Sequence, residues 1–266
     1  MTLLHDLASR RELIYNLTVR ELKIRYRGSV LGFLWTLLIP LFMAGIYIVF
    51  LRLLAGRGVP MAEVIIGVFA WQFTVQSVNS GLHSVTGNAN LVKKVYLPRI
   101  ILPLSATLAN LVNYLLSLLV QIPLILLLQT LDGGSMRGLI LLLPAVVAVQ
   151  FIFNLGLALL MASTNVYYRD MEHLVGVGLS AWFFLSPIMY NLSFLERVAV
   201  NMPWVHDLYM LNPLAVIVTA YRSLSLSGVF FPFSWSVGVS ILIILGVFFG
   251  SLFLFQRMQR SFADLL

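Results

Sequence analysis

Long apolar runs broken by short charged stretches organise this chain. The runs extend from about Val30 to Phe50, Met61 to Val85, Ile100 to Leu128, Leu139 to Ala162, Leu174 to Tyr190 and Trp235 to Phe255. A hydrocarbon core about 30 Å thick takes about 20 residues of helix, and backbone groups in lipid must bond within the segment. The pattern therefore predicts an all-α membrane protein with six transmembrane helices in one domain covering 1–266. The fifth run is the shortest, opening with Gly176 and Gly178 and closing at Ser186-Pro187.

The polar stretches differ from one another. Residues 1–28 place Leu13, Leu17 and Ile24 on one helical side and Arg20, Lys23 and Arg27 beside them, with Glu21 near the apolar side. This predicts an amphipathic helix lying at the membrane interface, against the alternative of a plain cytoplasmic arm. Residues 88–100 form a basic elbow, a helical turn or two with Pro98 and Pro103 limiting helix at its far end. Such a piece is either a positive anchor or a lever that something pushes. Residues 191–228 mix Glu196, Arg197, Asp207 and Arg222 with Pro203 and Pro213. Leu214 to Leu224 is too short to cross yet apolar enough to dip in, which predicts re-entrant helices between spans five and six, against an ordinary extracytoplasmic loop.

Inside the runs, amides and hydroxyls recur every three or four residues: Gln72, Gln76, Asn79, Ser80 and His83, then Asn110, Asn113, Ser117 and Gln121, then Gln150 and Asn154. That spacing puts each set on one helical stripe that avoids lipid. The stripes either join helices by hydrogen bonds or line a wet route for a polar substrate. No carboxylate lies deep in a run, which argues against a proton relay.

Composition agrees: 60% of the 266 residues are hydrophobic, 10% are charged, and the mean hydropathy is +0.96. The net charge of +7 fits loops held at an anionic membrane surface. With six spans and both termini cytoplasmic, Arg10, Arg11, Arg20, Lys23, Arg25, Arg27, Lys93, Lys94, Arg99, Arg169, Arg257 and Arg260 fall inside. Only Arg52, Arg57, Arg137, Arg197 and Arg222 fall outside, as the positive-inside bias requires. There is no cysteine, no phosphate-binding G-x-x-x-x-G-K-[ST] loop and no metal-ligand spacing among the four histidines. Any energy from ATP must come from another chain. Gly28 and Gly32 make a G-x-x-x-G at the mouth of the first span, a helix-contact pattern that also arises by chance.

Four segments together resemble the permease subunit of ABC-2 type polysaccharide exporters: Arg20 to Trp35 (RELKIRYRGSVLGFLW), Lys93 to Arg99 (KKVYLPR) with Leu102-Pro103, Asn165 to Asp170 (NVYYRD), and Leu211-Asn212-Pro213. They come in the family's order and span nearly the whole chain. Leu97 stands where the family often has Phe, and Ile100 where it often has an acidic residue. The resemblance implies two copies of this chain around a channel and two copies of a separate ABC ATPase. ATP and Mg would be held by that partner, with no cofactor or catalytic residue here. The cargo would be a lipid-linked polysaccharide of O-antigen, capsule or teichoic acid type, and the site a bacterial cytoplasmic membrane.

It further implies that Lys93, Lys94, Tyr96, Leu97, Pro98 and Arg99 form a coupling helix, and that Tyr167, Tyr168, Arg169 and Asp170 shape the substrate entrance. Weak, repeated contacts suit a sugar chain of variable length, so candidates for the channel wall are Trp35, Tyr47, Phe69, Trp71, Gln72, Gln76, Asn79, Trp182, Phe184 and Tyr190. The rival readings are an ABC-2 permease for a drug or small lipid, a secondary transporter, and a membrane-embedded glycan transferase using Asp170 and Glu172. A secondary transporter would show internal repeats and a coupling carboxylate, neither of which is present in the sequence.

Overall fold

The computed structural model describes residues 3–55, 60–95, 97–131, 138–168, 170–191 and 204–266, and among these it contains helices and no β-strand. The N-terminal arm is α1 (Leu3–Ser9) and α2 (Arg11–Tyr26). Then come α3 (Leu34–Ala55), α4 (Met61–Ser84), α5 (Ala89–Lys94), α6 (Ile101–Leu131), α7 (Leu143–Tyr167) and α8 (Met171–Phe184). Two short helices, α9 (Trp204–Met210) and α10 (Pro213–Ser225), precede α11 (Trp235–Met258) and α12 (Phe262–Leu265).

Four stretches, Met61–Ser84, Ile101–Leu131, Leu139–Tyr167 and Trp235–Leu265, are long and apolar enough to cross a bilayer, and α3 adds the shorter apolar stretch Leu34–Phe50. Leu119, Leu242, Phe249 and Phe253 stand exposed on α6 and α11, as lipid-facing side chains must, and the chain is a multi-pass membrane protein. The central helix is α4, with 78% of its apolar window buried by protein against 22% for the last span.

Small residues set the closest helix approaches. A Cβ on Gly81 would lie 2.5 Å from the Ala158 Cβ, and one on Gly156 would lie 2.9 Å from the Phe248 Cα. Glycine at these crossings brings α4 onto α7 and α7 onto α11, where dispersion rather than water exclusion holds helices together in lipid.

Two expectations need correction. The first span starts at Leu34 rather than Val30, because Gly28 (φ 73°) and Gly32 (φ 47°) take left-handed conformations that end the helical path. The G-x-x-x-G at those positions accordingly lies in a turn rather than on a helix face.

The fifth predicted run, from about Leu174 to Tyr190, is helical only as far as Phe184. Fourteen residues of α8 extend about 21 Å, less than a bilayer's apolar core. Beyond it, Leu185 to Asn191 turns between α8 and the region of α9 and α10. Exposed carbonyls at such depth are tolerated only where protein covers them, and here specific donors do so. Asn212 Nδ2 donates to Leu185 O (3.1 Å), Arg222 Nη2 to Ile188 O (3.0 Å) and Arg222 Nη1 to Tyr190 O (2.8 Å). Arg222 Nε also donates to Glu63 O at 3.0 Å, in the first turn of α4. Arg222, placed from sequence in the re-entrant region on the outer side, is 2% exposed and acts as a clamp. The Asn212 side chain also caps α10, accepting from the Leu214 amide at 3.1 Å with Pro213 at the first helical position.

Candidate functional site

The elbow is one continuous piece with the membrane helices it joins. A 3-10 turn at Thr86–Asn88 leads from α4 into α5, and α6 begins at Ile101, after Pro98 has limited helix ahead of it. Val92, Ile100, Ile101 and Leu102 from this stretch are buried in one apolar cluster with Leu17 of α2, Leu159, Ala162 and Val166 of α7, Phe255 of α11 and Phe262 of α12. Both the N-terminal arm and the C-terminal segment thus lie at the elbow's end of the bundle.

Phe262 is fully buried, packing edge-on to Phe255 (ring centroids 5.5 Å) and to Tyr167 (6.3 Å), whose hydroxyl donates to Met258 O at 3.2 Å. Phe262→Ala is expected to destabilise this end by about 3–5 kcal/mol through the cavity it leaves. The check is a lowered unfolding temperature of the purified protein together with new protease sensitivity near α12.

While the apolar face of the elbow is locked in, its charges point away. Lys93 and Lys94 are exposed, and Leu97, Pro98 and Arg99 are half-buried. Tyr96 lies outside the described residues. A cleft of about 990 Å³ opens beside them, lined by Arg10, Lys93, Lys94, Arg99 and Arg260 with Val92, Val95, Leu97, Pro98, Ile100, Gln256, Gln259 and Ala263. Among the described residues five cations and no carboxylate line it, so its field is positive.

The polar rows of α4 and α6 meet each other and the end of the N-terminal arm. Asn110 Nδ2 donates to Gln76 O at 3.1 Å, tying α6 to α4. Arg25, the second-last residue of α2, donates through Nη1 to Gln76 Oε1 (3.1 Å) and through Nη2 to Asn110 Oδ1 (2.6 Å). Its neighbour Tyr26 donates to Asn113 Oδ1 at 2.8 Å and lies 3.2 Å from Thr36 Oγ1 on α3. Desolvation of its fork holds the Arg25 guanidinium below the ordinary arginine pKa, opposed by Tyr26 and Glu21, although the residue as a whole is exposed. An arginine remains charged throughout the accessible range. Sequence reading missed Arg25 and Tyr26. The signal was there in the i, i+1 placement of a basic and a phenolic residue just before Gly28, at the point where the arm meets the first span.

Other amides also join helices: Gln150 Nε2 reaches Ala70 O (2.7 Å), and Asn165 Nδ2 reaches Leu82 O (2.8 Å). Gln121 and Asn154 are equally buried, yet each keeps a side-chain atom with no hydrogen-bond partner among the described residues. Adhesion accounts for part of the rows and not for all of them. Gln72 lines a cavity of about 10 Å³ among α3, α4 and α6 together with Thr36, Asn113 and Ser117.

The aromatic candidates fall into two groups. Phe69 and Trp71 are buried, at 2% and 7% exposure, and Trp71 packs edge-on to Trp182 (6.3 Å) and Phe183 (5.6 Å). Trp182 Nε1 donates to Asn212 Oδ1 at 3.0 Å, Tyr47 stacks obliquely on Phe183 at 5.3 Å, and Tyr190 donates to Phe184 O at 3.1 Å and accepts from Tyr209 at 2.7 Å. Trp35 and Phe184 stand exposed, and Asn79 is exposed on α4. Toward the elbow, Tyr168 and Asp170 are exposed and Tyr167 is partly so, while Arg169 lies outside the described residues. His83 and Glu172 approach to 4.0 Å on the surface, where an ion pair contributes little.

The described helices form a bundle joined through a basic elbow with a buried apolar heel and exposed cations, and the family comparison says what kind of protein this is. The ABC-2 type transporter model matches residues 12–226, from α2 through α10, and the chain belongs to that family. Its relatives include an O-antigen export system permease protein RfbA of Myxococcus xanthus, 34% identical over 224 residues, which are 84% of this chain and 83% of the relative. Two proteins called O-antigen export system permease protein RfbA from Klebsiella pneumoniae are 29% and 30% identical over 262 residues, 96% of this chain and 95% of each relative.

Proposed function

We propose that this chain is the transmembrane subunit of an exporter that carries a lipid-linked polysaccharide across the bacterial cytoplasmic membrane. Two copies form the passage, and two copies of a separate ATPase, which hold ATP and Mg, drive it. Both termini, with the elbow between them, face the cytoplasm. The observation that carries the reading is the elbow itself, whose apolar heel is buried among α2, α6, α7 and α11 while Lys93, Lys94 and Arg99 line a cationic cleft. Relatives across nearly the full length that are named O-antigen export permeases supply the cargo class.

The mechanism follows from stiffness. A surface that grips residues 93–99 and moves on nucleotide binding carries the α4 and α6 ends with it, because the elbow cannot swing without displacing the cluster behind it. A close-packed interior passes such displacement on rather than absorbing it. Tyr167, Tyr168 and Asp170 flank the entrance, where a nearby arginine in the sequence would suit a pyrophosphate through charge-assisted hydrogen bonds. Trp35, Phe184 and Asn79 supply wall contacts to sugar, with Gln72 and Gln76 behind them, while Phe69, Trp71, Trp182, Tyr47 and Tyr190 hold the wall in shape.

The test is the variant carrying Lys93→Ala, Lys94→Ala and Arg99→Ala. It is expected to insert and to dimerise normally, while copurification of the ATPase and surface polymer both fall at least about tenfold, as the loss of roughly 1.4 kcal/mol of docking predicts. Normal export from that variant removes the elbow from the mechanism.

A further inference from the structure

We infer that α2 is a transmission strut and that Arg25 is its positioning residue, carrying the elbow's movement into the polar core between α4 and α6. This rests on the elbow reading given above. Helix α2 has 16 residues, about 24 Å of rigid rod, and is tied to different things near its middle and at its C-terminal end. Near its middle, Leu17 is buried in the elbow's apolar cluster, and Arg20 Nη2 donates to Asn88 Oδ1, in the turn from which α5 springs. The Asn88 side chain is itself anchored, donating to Ser84 O at 2.9 Å, so that contact reports the position of α4's last turn.

At its far end the same helix delivers a two-pronged cation to two membrane helices at once. Arg25 Nη1 bonds Gln76 on α4 and Nη2 bonds Asn110 on α6, while Tyr26 reaches Asn113 on α6 and Thr36 on α3. Three helices therefore converge on the last turn of a fourth, through side chains that sit on the amide stripes. A guanidinium fork suits this place because it is planar and permanently charged and bonds two acceptors in fixed directions. An ammonium on a flexible stem does not hold that geometry.

A brace that only glued the bundle would not need to touch the elbow. Arg20 and Asn88 give α2 that second contact, so a push on the elbow reaches Gln76 and Asn110 along a path separate from α4 and α6 themselves. The experiment separates transmission from stability.

The test reconstitutes the chain with its partner ATPase in vesicles loaded with lipid-linked polymer. Polymer exported per ATP hydrolysed is measured for Arg25→Ala, Arg25→Lys and Tyr26→Phe, beside the elbow triple-alanine variant. Arg25→Ala is expected to keep the dimer, the bound ATPase and ATP hydrolysis while export per ATP falls at least about tenfold. Arg25→Lys is expected to fall severalfold, because the charge remains and the fork is lost, and Tyr26→Phe less.

An unchanged ratio in Arg25→Ala overturns the strut. If that variant fails to assemble, the ratio is read on Arg25→Lys, and an unchanged ratio there overturns it equally. A normal elbow variant would sink the underlying coupling reading, whereas a defective elbow variant beside a fully coupled Arg25→Ala would sink only the strut.

Discussion

Replacing Arg222 by methionine is expected to remove most folded protein from the membrane, destabilising the chain by about 3–5 kcal/mol. The side chain is 2% exposed and gives three hydrogen bonds to the carbonyls of Glu63, Ile188 and Tyr190, at 3.0, 3.0 and 2.8 Å. Methionine fills a similar volume but leaves three buried acceptors without donors, and an orphaned buried acceptor costs about 1–3 kcal/mol. The substitution also strips the neighbouring charge from Glu63, itself 6% exposed. Arg222→Lys should recover part of the loss, since one ammonium cannot span three carbonyls so placed. Thermal unfolding in detergent, read by tryptophan emission, checks both variants. An unfolding temperature for Arg222→Met equal to that of the unmodified chain would mean that the irregular backbone beyond α8 is held by something else.

Enlarging Gly81 is expected to be the second most damaging change. Its absent Cβ would meet Ala158 Cβ at 2.5 Å and Ala158 Cα at 2.6 Å. Backbone and a first side-chain carbon cannot step aside as a long side chain would, so α4 and α7 must separate. Gly81→Ala should destabilise by about 1–3 kcal/mol, and Gly81→Leu should abolish stable folding. Ala158→Gly in the same chain removes the nearer atom and should restore part of the stability, giving a coupling term in the double-mutant cycle. If the two substitutions add independently, the helices do not cross where these residues place them.

Much of the architecture was legible because lipid leaves a chain few choices. Unbroken apolar runs had to become helices, and most of their ends agree with the structure to within a few residues, as with Met61–Ser84 and Trp235–Met258. The elbow was legible because Pro98 and the lysines punctuate it. The entry to the first span was misread because a hydropathy pattern counts Val30 and Leu31 as apolar without registering that Gly28 and Gly32 take the backbone out of the helix.

The polar rows were the hardest part to interpret. Spacing puts Gln76 and Asn110 on stripes, but whether a stripe meets water or another helix depends on what stands opposite. The structure puts Arg25 there, 51 residues from Gln76 and 85 from Asn110. No local pattern links positions so far apart. The buried aromatics present the same difficulty, since Trp71 meets Trp182 and Phe183 only after α4 and α8 have packed.

By itself the sequence determined that the chain is helical and membrane-embedded, that its charges gather in a few short turns, and that a basic elbow divides the second and third runs, because each of these follows from local hydropathy and backbone chemistry. Only the tertiary structure decided which polar groups find partners across helices, that Arg222 closes the irregular backbone beyond α8, and that the N-terminal arm bears on both the elbow and the core. Those outcomes turn on contacts between residues distant in sequence, where a hydrogen-bond donor is satisfied or stranded according to what packing brings opposite it.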